Sequence, residues 1–426
     1  MGRLNRFFHG LFLFCALWFV LVSPTRAQTL EQSVLIALSQ YPTILASQSR
    51  QSAAQSDIVR AQSGHWPQVA WSGTQSAYNA GNVPNNWIQS PTVSMNVWSG
   101  WKIESDVDRS RALAEAGTHQ QRITRDEVAL LATEGYMNWA RSRELVQLAK
   151  KNVSDHARLR TAIFEITQID SGRRIDLDQA DVRFENAKLS LQMREAELAV
   201  AAQRLNRMLL GQLPSRPEGI DVQPGKLPSS PELALADIGP NHPKIAYQMS
   251  QIEAARAAVV NARSQHAPTV NVTYGKQVYQ GSGQGDYVAQ LNIQIPIFSG
   301  GMAVAATDTA AAQLQAAEFD LQDVRLTLRE KLVSVWTEWD SAKSRAALGN
   351  RQVKTAVTLV DGYEDQFKIG KRSLLDLLNV QNDLFTYRSN ALNAAFDARI
   401  AYARILSAMG TLARAYQSQT STQSIR

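Results

Sequence analysis

Two halves of this chain repeat one another. Residues 41–69 lie on residues 242–270 at a constant offset of 201, with 11 of 29 positions identical, among them Pro42/Pro243, His65/His266 and Pro67/Pro268. The offset falls to 200 where VWSG at 97–100 faces IFSG at 297–300 and Trp139 faces Trp339, and to 198 where Gly172 faces Gly370 and Asp178 faces Asp376. Small indels between collinear halves are the trace of a duplication. The chain therefore reads as two copies of one unit, 28–210 and 231–416, rather than as two or three unrelated domains. Residues 211–230 join them; with Pro231 this stretch holds five prolines, so no continuous helix crosses it.

Each half orders the same elements. A helix comes first, over about 30–64 and 231–265, and ends where Pro67 or Pro268 forces extended backbone. Two strands follow, at about 68–78 and 91–98, and again at about 269–279 and 287–297. Their period is two. Val93, Met95 and Val97 oppose Thr92, Ser94 and Asn96; Tyr287, Ala289, Leu291, Ile293, Ile295 and Ile297 oppose Val288, Gln290, Asn292 and Gln294. The stretches 79–90 and 280–286, rich in Gly and Asn, read as turns. Very long proline-free helices come next, at about 101–167 and 301–368. A turn with Gly172 or Gly370 then leads to a last helix over about 174–210 or 372–415. The fold class is mainly α with a small β part.

Residues 1–27 read as a signal peptide: Arg3 and Arg6 precede an apolar run from about Phe7 to Val22, and Thr25-Arg26-Ala27 offers a cleavage site. The only cysteine, Cys15, lies in it, so the mature chain has neither disulfides nor thiolate chemistry. No other run supplies the ~20 apolar residues of a membrane helix. The net charge of +6 drops to +3 once Arg3, Arg6 and Arg26 are removed, with no basic block to suggest nucleic acid. The polar tail 417–426 reads as disordered.

Lengths constrain the arrangement. The longest helices reach ~100 Å, and the helices before the strands and after the glycine turns ~50–55 Å each. Two short helices stacked end to end match one long one, which makes a rod with strands at one end and glycine turns at the other. The strands have the length that crosses a bilayer when tilted. A membrane sheet must close, and small barrels need about eight strands, so four strands per chain require other copies; three copies supply about twelve. Aromatic residues near the strand ends fit interfacial girdles: Trp71, Tyr78, Trp87, Trp98 and Trp101, then Tyr274, Tyr279, Tyr287 and Phe298. A soluble β-domain on a coiled-coil stalk is the alternative.

Three segments carry a resemblance: IQIPIFSGG at 293–301, YEDQFKIGKRSLLDLLNVQNDLF at 363–385 and AMGTL at 408–412, with weaker echoes in MNVWSGWK at 95–102 and SGRRIDLDQADV at 171–182. With the duplicated plan, the chain resembles the TolC family of outer-membrane channel proteins over residues 30–415. The resemblance implies a homotrimer with a 12-stranded barrel in the outer membrane of a Gram-negative bacterium, a helical tunnel through the periplasm and a belt around its middle holding the linker 211–230. It implies partners too: a periplasmic adaptor and an inner-membrane ABC or proton-driven transporter. The turns, with Gly172, Arg173, Arg174, Gly370, Lys371 and Ser373, would be the tips that meet the adaptor. Asp376 matches the family's aperture aspartate, while Asn379 stands where a second aspartate is common. Arg372 and Asp178 match a latch between helix pairs, in which Phe367 replaces a tyrosine. A ring of Asp376 carboxylates in a narrow opening attracts cations.

Nothing points to an enzyme, metal or cofactor. His9, His65, His119, His156, His242 and His266 form no HExxH pair, and no phosphate-binding glycine loop is present. The RSLLDLLNVQNDLF stretch (372–385) looks most like members serving type I protein secretion. Efflux of small molecules by a proton-driven pump is the alternative cargo, and a pore-less periplasmic coiled-coil adaptor the alternative class.

Overall fold

The computed structural model describes residues 29–76, 86–220, 225–278 and 285–423. The expected signal peptide with Cys15, the girdle residues Tyr78 and Tyr279 and most of both strand-connecting loops lie outside the described residues.

In chain order the elements are α1 (Leu30–Gln40), α2 (Pro42–Gln62), β1 (Gln68–Ser76), β2 (Asn86–Trp98), α3 (Lys102–Ile169), α4 (Arg174–Met208), α5 (Pro231–Asp237), α6 (Pro243–Ser264), β3 (Thr269–Val278), β4 (Gly285–Gln294), α7 (Met302–Lys368), α8 (Leu374–Ala408) and α9 (Leu412–Gln423). α3 has 68 residues and α7 has 67, and each reaches ~100 Å. α3 packs on α2 and α6 along one half and on α4 and α8 along the other, while α7 packs on α6 and α8. No helix among the described residues is long and apolar enough to cross a membrane.

Several boundaries differ from the sequence reading, each for a local reason. The first helix of each half is two helices. Tyr41 and His242, both extended, precede Pro42 and Pro243 at the first helical positions, where a ring without an N–H costs nothing. At the second break the buried His242 ties elements together: its Nδ1 accepts from Lys244 N–H at 3.2 Å while Nε2 meets the Ala408 carbonyl at 3.1 Å, joining the start of α6 to the end of α8. β2 begins at Asn86 rather than 91, so Pro91 is inside it. Thr92 pairs with Gly275 at the end of the β2–β3 ladder, so the missing N–H of Pro91 falls beyond that ladder. β4 stops at Gln294, ahead of Pro296, which leaves Ile295 and Ile297 outside the strand. α8 ends at Ala408, and Gly410 just beyond it, with a left-handed φ of 68°, closes the helix. α9 then carries helix to Gln423, into the tail read as disordered.

The core lies at mid-length. Leu30, Val34, Ala129, Ala132, Tyr136, Leu205, Phe396, Leu406 and Leu412 pack there, from α1, α3, α4, α8 and α9. The described parts of the linker lie against this core as a collar. Tyr136 Oη donates to the Glu218 carbonyl at 2.9 Å and accepts from its N–H at 2.8 Å, and Tyr402 Oη donates to the Gly225 carbonyl. Buried apolar area of this kind supplies most of the stability of long helices, whose own propensity contributes little.

Candidate conduction and gating site

The sheet has strand order β1-β2-β3-β4, all antiparallel. Cross-strand partners share a face, so the register sorts side chains into two sets. Val69 with Val93, Met95 with Val272, Tyr274 with Ala289, and Leu291 and Ile293 with Val272 and Val270 form an apolar face. Trp71, Tyr274, Tyr287, Leu291 and Ile293 on it are more than half or about half exposed. The opposite face holds Ser72, Thr92, Ser94, Asn96, Asn271, Thr273, Gln290 and Asn292, with Asn96 Nδ2 donating to Asn271 Oδ1 at 2.8 Å. Both outer strands, β1 and β4, have one edge without a partner among the described residues.

A register shift between Asn96 and Trp98 pairs Trp98 with Val270 and thereby puts its ring on the apolar face. Strict alternation from Val93 would have sent it to the polar face and kept Val97 on the apolar one. Trp98, Trp101 and Phe298, all exposed, cluster in sequence at the strand–helix junctions, whereas Tyr287 lies near the other end of β4 and stacks on Tyr274 at 5.8 Å. Trp71 lies opposite Pro91, partway along β1. His65 and His266 are exposed at the junctions.

Trp101 has φ of 72°, directly after Gly100 at 63°; the second repeat has Gly300 at 65° and Gly301 at 84°. Two left-handed residues turn each strand into the following helix. Only the first repeat uses a bulky residue there, which stores backbone strain of about 1–2 kcal/mol.

At the far end the two turns are built differently. Gly370 has φ of 73°; its N–H donates to the Phe367 carbonyl and the Lys371 N–H to that of Gln366, both at 2.9 Å, which is a Schellman closure. Gly172 takes no left-handed conformation, contrary to the equivalence of the two glycines. Asp170 Oδ1 accepts its N–H at 3.0 Å and closes a 3₁₀ turn over Ser171–Arg173, after which Arg174 opens α4. Lys371 and Ser373 are exposed, and Ser373 Oγ accepts the Asp376 N–H at 3.2 Å as the N-cap of α8. Asp376 thus lies in the first turn, where the helix dipole favours a carboxylate.

Arg372 is held in its own hairpin. Nε donates to Gln366 Oε1 at 3.0 Å, the guanidinium lies 4.4 Å from the Tyr363 ring centre, and Nη1 is 3.9 Å from Asp376 Oδ2. Within one chain the latch expected between Arg372 and Asp178 is therefore replaced by these contacts, and Asp178 is exposed on α4. The cause is reach: Arg372 lies in the turn just before α8, four residues ahead of Asp376 in that helix's first turn.

What joins the two hairpins is a contact absent from the sequence reading. Ile163, Ala180, Leu374 and Leu378 form a buried cluster, with Leu177 and Phe367 against it. The Arg173 guanidinium lies 5.6 Å from the Phe367 ring centre while Nε bonds Asp176 Oδ2 at 2.8 Å. Phe367, noted for lacking a hydroxyl, acts here as an apolar and cation-binding surface. Next along α8, Arg183 Nη2 of α4 donates to Asn379 Oδ1 at 3.2 Å. Neither Arg173–Phe367 nor Arg183–Asn379 has a signature in spacing, because each crosses between repeats.

Asp126 was missed as well. It is buried on α3, and the sequence signal was a carboxylate between Ile123 and Ala129 in the apolar row that carries the core.

The architecture defines a class: paired antiparallel hairpins of exceptional length carrying an amphipathic sheet, the fold of outer-membrane channels. Among solved structures, the chain superimposes on CusC with a TM-score of 0.78 at 18% identity, covering 89% of this chain and 91% of that one. It superimposes on the open-state MtrE channel of Neisseria gonorrhoeae with a TM-score of 0.75 at 18% identity, covering 91% and 93%. The model of the family described as outer membrane efflux protein matches residues 235–411. Outer membrane efflux protein BepC of Brucella suis is 23% identical over 366 residues, 84% of this chain and 79% of that one. Protein CyaE of Bordetella pertussis is 24% identical over 405 residues, 90% and 84%. Alkaline protease secretion protein AprF of Pseudomonas aeruginosa is 25% identical over 307 residues, 67% and 62%. Residues 235–411 thus carry the pattern of the outer membrane efflux protein family, and along most of its length the chain is similar to outer-membrane efflux and secretion channels. Its place is the outer membrane of a Gram-negative bacterium, with the helical part in the periplasm, and its role is that of the outer-membrane channel of a tripartite system.

Proposed function

We propose that three copies close a 12-stranded barrel and a continuous helical tunnel, which conducts cargo from an inner-membrane transporter and its periplasmic adaptor to the outside. One observation carries this reading: among the described residues, a four-stranded sheet with an exposed apolar face and two unpartnered edges stands at the end of helices ~100 Å long. Lipid tolerates such a sheet only when it is closed, and a single chain leaves it open. Trp98, Trp101 and Phe298 then belong to the girdle at the periplasmic interface and Tyr287 to the outer one, with Trp71 facing lipid between them. The exposed turns at Gly172 and Gly370, with Arg173, Arg174, Lys371 and Ser373, meet the adaptor. The collar of linker residues 211–230 forms the belt, and Asp376 lines the periplasmic aperture.

The cargo we infer is protein, exported by a type I system whose energy comes from an ABC transporter. The RSLLDLLNVQNDLF stretch and the likeness to the alkaline protease secretion protein AprF support it. Export of small toxic compounds is the second reading, favoured by the likeness to the efflux protein BepC. Deleting the gene separates the two. Loss of a large secreted protein from the medium with unchanged drug tolerance supports secretion; the reverse supports efflux. Purified protein tests the pore itself: detergent-dependent solubility, a trimeric mass and step conductances in planar bilayers are expected. A soluble monomer without conductance would return the chain to the pore-less adaptor.

A further inference from the structure

Along α8, Asp376, Asp383, Asn390, Asp397 and Arg404 recur every seven residues. Such a row stays on one side of a helix, drifting only ~20° per heptad. At its upper end Asp397 bonds Arg141 at 2.9 Å and Arg404 bonds Glu134 at 2.7 Å, in an open groove of about 750 Å³ between α3, α7 and α8. The collar is reached from other faces of α8, through Tyr402 to Gly225 and through the cluster of Ile405 and Ala408, against which Leu227 packs. The polar row therefore looks away from the collar. With the collar outside the tube, as the proposed channel has it, the row lines the tunnel, and Asn379 lies within a turn of both Asp376 and Asp383.

Arg183 reaches this position from the other repeat. The charges around it are already paired: Asp181 with Arg160, Asp155 with Arg158, and Glu185 with Lys188 at 2.9 Å. Its own partner is the neutral amide oxygen of Asn379. His156, buried on the neighbouring α3, has its pKa lowered by burial and next by Arg183, so it stays neutral near pH 7. Among the described residues the guanidinium forms no direct ion pair with a carboxylate, so its charge acts on the aperture from beside the Asp376 row.

We propose that Arg183 sets the ion selectivity of the periplasmic aperture, its guanidinium offsetting the carboxylate of Asp376 one turn away. Asn379 matters in this scheme less as a missing charge than as the neutral support that leaves Arg183 without a direct ion pair. Three copies would stack a ring of cationic groups beside a ring of anionic ones, and a narrow low-dielectric opening amplifies both. This rests on the channel reading.

The test is the reversal potential of purified protein in planar bilayers under a KCl gradient. Arg183→Gln should raise the ratio of potassium to chloride permeability severalfold, whereas Arg183→Lys, which keeps the charge, should leave it near wild type. Asn379→Asp keeps Arg183 and pairs it, and should shift the ratio in the same direction as Arg183→Gln; it carries the test should the glutamine variant fail to fold. An unchanged ratio in Asn379→Asp or in a folded, conducting Arg183→Gln would overturn the assignment, as would equal shifts from glutamine and lysine. Wild-type protein with no conductance would instead overturn the channel.

Discussion

Asp126 on α3 accepts the backbone N–H of Ala413, at the start of α9, at 2.8 Å, and so caps the last helix from the opposite repeat. Burial raises its pKa from 3.8 to about 6, against the Ala413 hydrogen bond, Arg414 and Arg125, which lower it, with Glu127 raising it further. The folded carboxyl holds its proton to higher pH than the unfolded one, so the folded state binds more protons between about 4 and 6. Its contribution to stability is greatest below pH 4, falls as pH rises through that window and is level above it, by ~3 kcal/mol in all. Thermal unfolding followed by circular dichroism across pH 4–8 should show this slope. Asp126→Asn keeps an acceptor for Ala413 and should flatten it. Asp126→Ala leaves the Ala413 N–H buried without a partner, costs about 1–3 kcal/mol and frees α9 to proteolysis.

Gly349 lets α7 and α8 touch. A Cβ there would come within 2.9 Å of Ala391 Cβ and 3.0 Å of its Cα, atoms of a helix that cannot swing aside. Gly349→Leu should part the hairpin and cost about 2–3 kcal/mol, with loss of assembled oligomer on gels as the readout. Retained assembly would show that the helices slide.

The two tip glycines should respond differently. Gly370→Ala meets open space but must hold φ near 73°, a cost of about 1–2 kcal/mol. Gly172→Ala needs no left-handed backbone and brings its Cβ 3.2 Å from Asp170 Oδ1, a contact relieved by a small rotation. Paired melting curves should rank them so, and equal losses would contradict the two closures described.

Trp101→Gly copies the second repeat, where Gly301 has the same left-handed backbone. It should relieve strain of about 1 kcal/mol while removing an interfacial ring. The expected result is unchanged or higher thermal stability in detergent with weaker retention in lipid vesicles.

Asp376→Ala should weaken block of conductance by multivalent cations, since no carboxylate ring then stands at the aperture. Arg372→Ala removes the contacts to Gln366, Tyr363 and Asp376 and should raise the open fraction in single-channel records. If Asp178→Ala alters gating as well, its partner is on a neighbouring chain. Unchanged records in both variants would leave the aperture held by Phe367 and the cluster around it.

The duplicated order of elements was legible because it rests on local signals. Proline marked the exits from helices, period-two alternation marked Val93–Val97 and Tyr287–Ile293, and the uninterrupted stretches after residues 101 and 301 could only be long helices. The motifs at 293–301, 363–385 and 408–412 carried the resemblance to the family. Boundaries were less legible at Pro91, whose effect depends on where the β2–β3 ladder ends, and at Trp98, whose face depends on a bulge set by its partner strand. The collar bonds of Tyr136 to Glu218 and Tyr402 to Gly225 span 82 and 177 positions, beyond any local pattern.

The sequence alone determined two copies of a helix–strand–helix unit, their lengths and a sheet with one greasy and one wet face, since periodicity and breakers act within a few residues. Tertiary structure alone decided which charges are spent and which remain. Arg372 turns to its own hairpin, Arg173 crosses to Phe367, and Arg183 rests on Asn379, because side-chain partners are chosen by distance across helices that only packing brings together.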